Sequence, residues 1–198
     1  MNEQKGDAVS SRILTVPNIL SFLRLLLVPV FFVAILAGHD QLALALLIAS
    51  SITDFVDGQI ARRFHQVSRL GQLLDPAADR LLILAALVGL TVREIVPLWL
   101  FLVIIARDLM LVVLGIILAN NGYGPLPVHH VGKFATFCLF FAIPILMLGL
   151  AFPVLAAYTV PIGWGFLLWG AFVYWWAGVV YLMETIRVIR VPISETGR

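Results

Sequence analysis

Hydrophobic residues run through this chain in long blocks, broken at a few points by glycine, proline and clustered charge. About 20 mainly apolar residues suffice to cross a bilayer as a helix. Six blocks approach or exceed that length, at 19–38, 42–61, 73–91, 95–119, 134–152 and 158–186. Gly38 follows the first block, TVRE (91–94) separates the third from the fourth, and NNGYGPLP (120–127) follows the fourth. Pro153 and Pro161 bracket the passage from the fifth to the sixth; residues of these kinds favour turns over continued helix. The last block is long enough to project beyond the bilayer and end near Arg190, before Pro192. The pattern predicts an all-α, polytopic membrane protein with six transmembrane helices in a single domain, 1–198, without an internal repeat.

Composition agrees. Hydrophobic residues make up 62% of the chain and charged ones 12%, against about 45–50% and about 25% in soluble domains, which excludes a soluble protein. No nucleic-acid partner is expected. The net charge of +2 matters less than its placement. Six crossings put both termini on one side, which then carries Lys5, Arg12, Arg62, Arg63, Arg69, Lys133, Arg187, Arg190 and Arg198. The other side has Arg93 alone. Loops enriched in Lys and Arg are cytoplasmic, so both termini are expected in the cytoplasm of a multi-pass cell-membrane protein. The polar start MNEQKGDAVSSRILTVPNIL does not read as a removable signal peptide. The single cysteine, Cys138, lies in an apolar run and reads as a packing residue. The aromatic cluster WGFLLWGAFVYWW (164–176) reads as packing and interfacial anchoring.

One stretch breaks the apolar pattern. Residues 54–79, DFVDGQIARRFHQVSRLGQLLDPAAD, hold four aspartates. Asp54 and Asp57 are three apart at the end of the second block, and Asp75 and Asp79 four apart where the third begins. Each pair shares a helix face at those spacings, and the short connection makes the two helices antiparallel neighbours. Four carboxylates converging near hydrocarbon repel one another, and each costs energy to keep ionised. Arg62, Arg63, Arg69 and Arg80 could relieve this as a structural charge network, or divalent cations could. An all-oxygen donor set suits Mg²⁺, Mn²⁺ or Ca²⁺ rather than zinc, while His65, alone in the loop, reads as solvated. Gly58, Ala61 and Gly71 beside the acids leave room for a bulky ligand at the helix backbone, which favours a site for a metal-bound phosphate ester. An ion or proton transporter whose acids line a pathway is the alternative from another class, but no repeated halves accompany the acids.

The spacing Asp54-xx-Asp57-Gly58-xx-Ala61-Arg62-x8-Gly71-xxx-Asp75-xxx-Asp79 resembles, at every position, the signature of the CDP-alcohol phosphatidyltransferase family. The resemblance covers nearly the whole chain. It implies phospholipid biosynthesis, with transfer of a phosphatidyl group from CDP-diacylglycerol to an alcohol and release of CMP. It further implies that Asp54, Asp57 and Asp75 are ligands of a centre of two divalent cations, Mg²⁺ or Mn²⁺. Asp79 would add to that centre and serve as catalytic base on the acceptor hydroxyl, while Gly58, Ala61, Arg62 and Gly71 would frame the cytidine diphosphate. A homodimer in membrane lipid, with its active site facing the cytoplasm, is expected from the same resemblance.

The acceptor is read from polar residues elsewhere in the apolar blocks. Arg24 in PNILSFLR, Arg107-Asp108 and Gly132-Lys133 resemble positions of related enzymes. Arg24, Arg107 and Lys133 are therefore the acceptor-binding candidates, with an internal ion pair (Arg107-Asp108) and an interfacial anchor (Lys133) as the plain alternatives. The segments VPLWLFLVIIARDLMLVV (96–113) and WWAGVVYLM (175–183) look most like CMP-forming cardiolipin synthases of actinobacteria, which use phosphatidylglycerol. Phosphatidylglycerophosphate synthases, which use glycerol 3-phosphate, are the second resemblance, and both acceptors are anionic.

Overall fold

The computed structural model describes residues 16–64, 69–123 and 130–190, with side chains over 22–54, 78, 80–123 and 132–189. Among the described residues there are six α-helices, one 3₁₀ turn and no strand. The helices are α1 (Val16–Leu36), α2 (Asp40–Phe64), α3 (Arg69–Val92), α4 (Leu98–Asn120), α5 (His130–Ala151) and α6 (Ala156–Arg190), with the 3₁₀ turn at Pro153–Leu155 before α6. Each apolar block corresponds to one helix, so the all-α expectation holds.

Glycine sets two of the boundaries. Gly38 follows α1 with φ +77° and Gly122 follows α4 with φ +77°. After α1, the Gly38 N–H donates to the Ile35 carbonyl at 3.2 Å and the His39 N–H to the Ala34 carbonyl at 3.0 Å. After α4, Gly122 bonds Ala119 at 3.1 Å and Tyr123 bonds Leu118 at 3.0 Å in the same pattern. This is the Schellman closure, in which a left-handed residue lets the chain turn back and satisfy the last carbonyls. Proline is less decisive than expected. Pro161 lies inside α6, and Pro29 and Pro144 lie inside α1 and α5. Each removes one backbone donor, a loss that apolar membrane helices tolerate when neighbouring groups re-satisfy the freed carbonyl.

Among the described residues, three helices are long and apolar enough to cross a membrane: Leu98–Asn120, Gly132–Ala151 and Pro153–Ile189. The apolar parts Phe22–Leu36 and Arg80–Val92 are shorter. Many large apolar side chains lie exposed, among them Val33, Val112, Phe172 and Trp176, as a lipid-facing surface requires.

The helices divide into two compact units. One contains α1, α2 and α3 through Arg93, together with Met147–Ala156; the other contains Glu94–Leu146 and α6 from Ala157 onward. In the first unit α1 packs against both α2 and α3. Phe31, Ile35, Ala43, Ala86, Leu90 and Met147 are fully enclosed there. At the end of α3, Arg93 clasps the α1–α2 turn: it bonds both carboxylate oxygens of Asp40, with Nη2 to Oδ2 at 3.1 Å, and the Ile35 carbonyl at 3.3 Å. The hydrogen bond to Asp40 pushes the Arg93 pKa further up, so its charge is permanent. In the second unit Gly163 and Gly170 bring α6 close to α5. A Cβ at Gly163 would lie 2.7 Å from Leu146 Cγ, and one at Gly170 3.0 Å from Cys138 Cβ. Cys138 is buried and packs there as a small residue.

Gly89 in α3 is a similar close approach, because an added Cβ would fall 2.5 Å from Cγ2 of the enclosed Ile35. Helix propensity alone favours Gly→Ala by about 1 kcal/mol, whereas overpacking costs about 1–3 kcal/mol. Gly89→Ala is therefore expected to lower the thermal midpoint of the detergent-solubilised protein. Gly115→Ala in α4, whose Cβ would meet nothing within 4 Å, should leave it unchanged or raise it. Equal midpoints for the two variants would contradict the packing described.

Candidate active site

The aspartate signature spans the end of one helix and the start of the next. Asp54 and Asp57 lie in α2, and Asp75 and Asp79 in the first half of α3. Helical geometry therefore applies to both pairs, and the members of each share a face. α1 packs on both helices that carry the signature, α2 and α3. Ala78, between the two α3 acids, is 1% exposed, so this turn of α3 is anchored in the core of its unit. The side chains of Asp57, Gly58, Ala61, Arg62, Gly71, Asp75 and Asp79 lie outside the described residues, as does His65.

Asp54 shows how the site is connected to the core. Its Oδ1 accepts a hydrogen bond from Arg24 Nη1 at 2.7 Å, the short distance of a charge-assisted bond. The Arg24 side chain is 1% exposed and that of Asp54 42%. The arginine thus reaches from the interior of α1 to a partly exposed carboxylate. A buried guanidinium needs an anionic partner, and Asp54 supplies it. Arg24, an acceptor-binding candidate in the sequence, is in this way joined directly to the first residue of the signature. Hydroxyls along the same helix bond back to carbonyls one turn earlier, Ser51 to Leu47 at 3.0 Å and Thr53 to Ala49 at 2.9 Å. That arrangement satisfies polar groups inside an apolar helix.

The four signature aspartates are candidate ligands for a hard divalent cation. Carboxylates alone would suit Mg²⁺ or Mn²⁺, and the one described member, Asp54, has a side chain 42% exposed. Among the described residues no three acids, histidines or cysteines gather elsewhere as an alternative centre.

Arg107 and Lys133, the other acceptor candidates, belong to the second unit. Lys133 is exposed near the start of α5. Arg107 is 6% exposed and sits in a small polar cluster. Its Nε donates to the Tyr174 carbonyl at 3.2 Å and its Nη1 to Asp108 Oδ1 at 3.3 Å, while the Tyr174 hydroxyl donates to Asp108 Oδ1 at 2.5 Å. The guanidinium carbon stands 3.7 Å from the centre of the Tyr174 ring. The Arg107–Asp108 pair was legible in the sequence, but Tyr174 was not, being one aromatic in a cluster read as packing and anchoring. Its neighbours do fit that description: Trp169, Phe172 and Trp176 are exposed. The available signal was Gly178, one turn after Tyr174. A Cβ there would meet Arg107 Cγ at 3.2 Å.

Comparison with known proteins agrees with this arrangement. Residues 14–182 match the family described as CDP-alcohol phosphatidyltransferase. The chain is 48% identical over 197 residues to "Cardiolipin synthase (CMP-forming)" of Streptomyces coelicolor, covering 96% of this chain and 92% of that one. It is 35% identical over 147 residues to "CDP-diacylglycerol--glycerol-3-phosphate 3-phosphatidyltransferase" of Bacillus subtilis, covering 67% of this chain and 76% of that one. With the aspartate signature carried on two braced helices and the match spanning nearly all of them, the chain belongs to the CDP-alcohol phosphatidyltransferases, membrane enzymes of phospholipid biosynthesis.

Proposed function

We propose that this enzyme transfers the phosphatidyl group of CDP-diacylglycerol to phosphatidylglycerol, forming cardiolipin and releasing CMP. One observation carries the choice of acceptor. Similarity to the CMP-forming cardiolipin synthase is both higher and longer, 48% over 96% of the chain, than similarity to the enzyme named for glycerol 3-phosphate, 35% over 67%. We further propose six crossings with both termini and the aspartates on the cytoplasmic side, supported by the excess of Lys and Arg on that side.

Family members generally depend on a divalent cation. Asp54, Asp57, Asp75 and Asp79 would hold two such ions, which when bound neutralise charge on the pyrophosphate and on the departing CMP. The chain's own groups supply the rest. Arg24 fixes one oxygen of Asp54 and so limits the rotation of that carboxylate. Gly58, Ala61 and Gly71 let the cytidine diphosphate approach the helix backbone, with Arg62 available to its phosphates. Asp79 takes the proton from the acceptor hydroxyl as that oxygen bonds to the phosphatidyl phosphorus and the phosphorus–oxygen bond to CMP breaks. Arg107 and Lys133 would meet the anionic acceptor.

Purified enzyme with Mn²⁺ should release CMP from CDP-diacylglycerol only when an acceptor alcohol is present, and chelation should abolish the release. Phosphatidylglycerol and glycerol 3-phosphate, supplied in parallel with mass-spectrometric identification of the lipid, should give cardiolipin with the first and little product with the second. A phosphatidylglycerophosphate product alone would assign the chain to the other acceptor. Asp79→Asn should lower kcat by roughly 10²–10⁴-fold, the range for loss of a general base, and full turnover in that variant would remove Asp79 from the base role.

A further inference from the structure

We infer that Tyr174 is a positioning residue for the acceptor phosphate: with Asp108 it fixes the Arg107 guanidinium so that one terminal nitrogen stays available to a phosphate oxygen. This rests on the transferase function proposed above and on Arg107 meeting the acceptor.

The cluster is lopsided in a way that a simple internal ion pair is not. Arg107 and Asp108 are sequence neighbours, so their side chains leave α4 about 100° apart, and their contact is 3.3 Å. A charge-assisted pair prefers about 2.7–2.9 Å. Asp108 Oδ1 makes its short bond with the Tyr174 hydroxyl instead, at 2.5 Å. The carboxylate thus lies closer to the phenol than to the guanidinium.

Tyr174 meets the same guanidinium in two other ways. Its ring lies under the guanidinium carbon at 3.7 Å, within cation–π range. Its backbone carbonyl accepts from Nε at 3.2 Å. Ring, carbonyl and the hydroxyl acting through Asp108 together hold one side of the arginine. Gly178, one turn further along α6, leaves the space in which the arginine stem runs, since a Cβ there would lie 3.2 Å from Arg107 Cγ and 2.9 Å from Met110 Cε.

A guanidinium has five N–H donors in a rigid fork. Nε and Nη1 are engaged as described, and Nη2 donates to no described residue. A buried arginine held on its face and on one edge, with donors remaining on another, is pre-ordered for a phosphate oxygen, and such ordering lowers the entropic cost of binding. The oxygen could belong to the phosphodiester of phosphatidylglycerol or to the phosphate of glycerol 3-phosphate.

The test uses the full-length enzyme in mixed micelles with Mn²⁺ and CDP-diacylglycerol, with each acceptor in a separate arm. Tyr174→Phe keeps the ring and the carbonyl but removes the hydroxyl's bond to Asp108. It should raise the KM for the acceptor the wild type uses by roughly tenfold, the scale of one hydrogen bond to a charged group. The KM for CDP-diacylglycerol should stay fixed and kcat should change by less than about twofold. Gly178→Ala, which crowds the arginine without removing a partner, should move acceptor KM in the same direction and covers the case in which Tyr174→Phe does not fold. Trp176→Leu, at an exposed aromatic two residues on, should alter none of the three parameters. An acceptor KM within about twofold of wild type in Tyr174→Phe would overturn the inference, as would a parallel rise in both substrates' KM. Arg107→Gln separates the levels. If it raises acceptor KM while Tyr174→Phe does not, only the positioning role fails; if it leaves acceptor KM unchanged, Arg107 is not an acceptor residue and the inference fails with it. A wild type that releases no CMP with either acceptor overturns the transferase function itself, before any variant is compared.

Discussion

An ionised side chain within an apolar helix must find an opposite charge, and the described structure is organised around that requirement. Arg24 reaches Asp54 from the interior of α1, Arg93 clasps Asp40 at the α1–α2 turn, and Arg107 lies against Asp108 and Tyr174. In a membrane protein apolar burial does little to choose between helix neighbours, because lipid is as apolar as a leucine side chain. Close packing and polar contacts make the choice instead. Gly89 lets α3 approach α1, Gly163 and Gly170 let α6 approach α5, and the ion pairs fix which residues meet.

The same requirement links fold to chemistry. Of the four signature acids, Asp54 has its arginine, and that pair ties the signature to a buried position on the bracing helix. Four carboxylates at that spacing on consecutive helices repel one another wherever they converge. At the proposed centre, cations would offset that repulsion, and a nucleoside diphosphate would bring anionic oxygens to their coordination. On that proposal, substrate binding and charge balance would be the same event.

Much of this was readable in the sequence because it is local. Helix number follows from apolar block length, the ends of α1 and α4 from Gly38 and Gly122, and the sharing of faces by the aspartates from spacing alone. The less readable parts depend on partners distant in the chain. Asp40 and Arg93 are both ordinary turn-region charges until folding brings together residues 53 positions apart. Arg24 gave no sign in sequence that its contact is Asp54. Tyr174 was hidden by composition, since five tryptophans in the chain and a dense aromatic run make any single aromatic look like a membrane anchor. Pro161 misled for a related reason: proline breaks helices in water more strictly than in an apolar bundle, so α6 runs through it.

The central claim, that the signature acids form one cation-binding centre, is open to a measurement independent of turnover. Electron paramagnetic resonance can count Mn²⁺ bound to the purified protein in detergent with CDP-diacylglycerol, for wild type, Asp57→Asn and Asp75→Asn. The expected result is about two Mn²⁺ per wild-type chain, as a two-metal site requires, with each variant losing at least one. Equal Mn²⁺ binding by all three proteins, or none by the wild type, would contradict it.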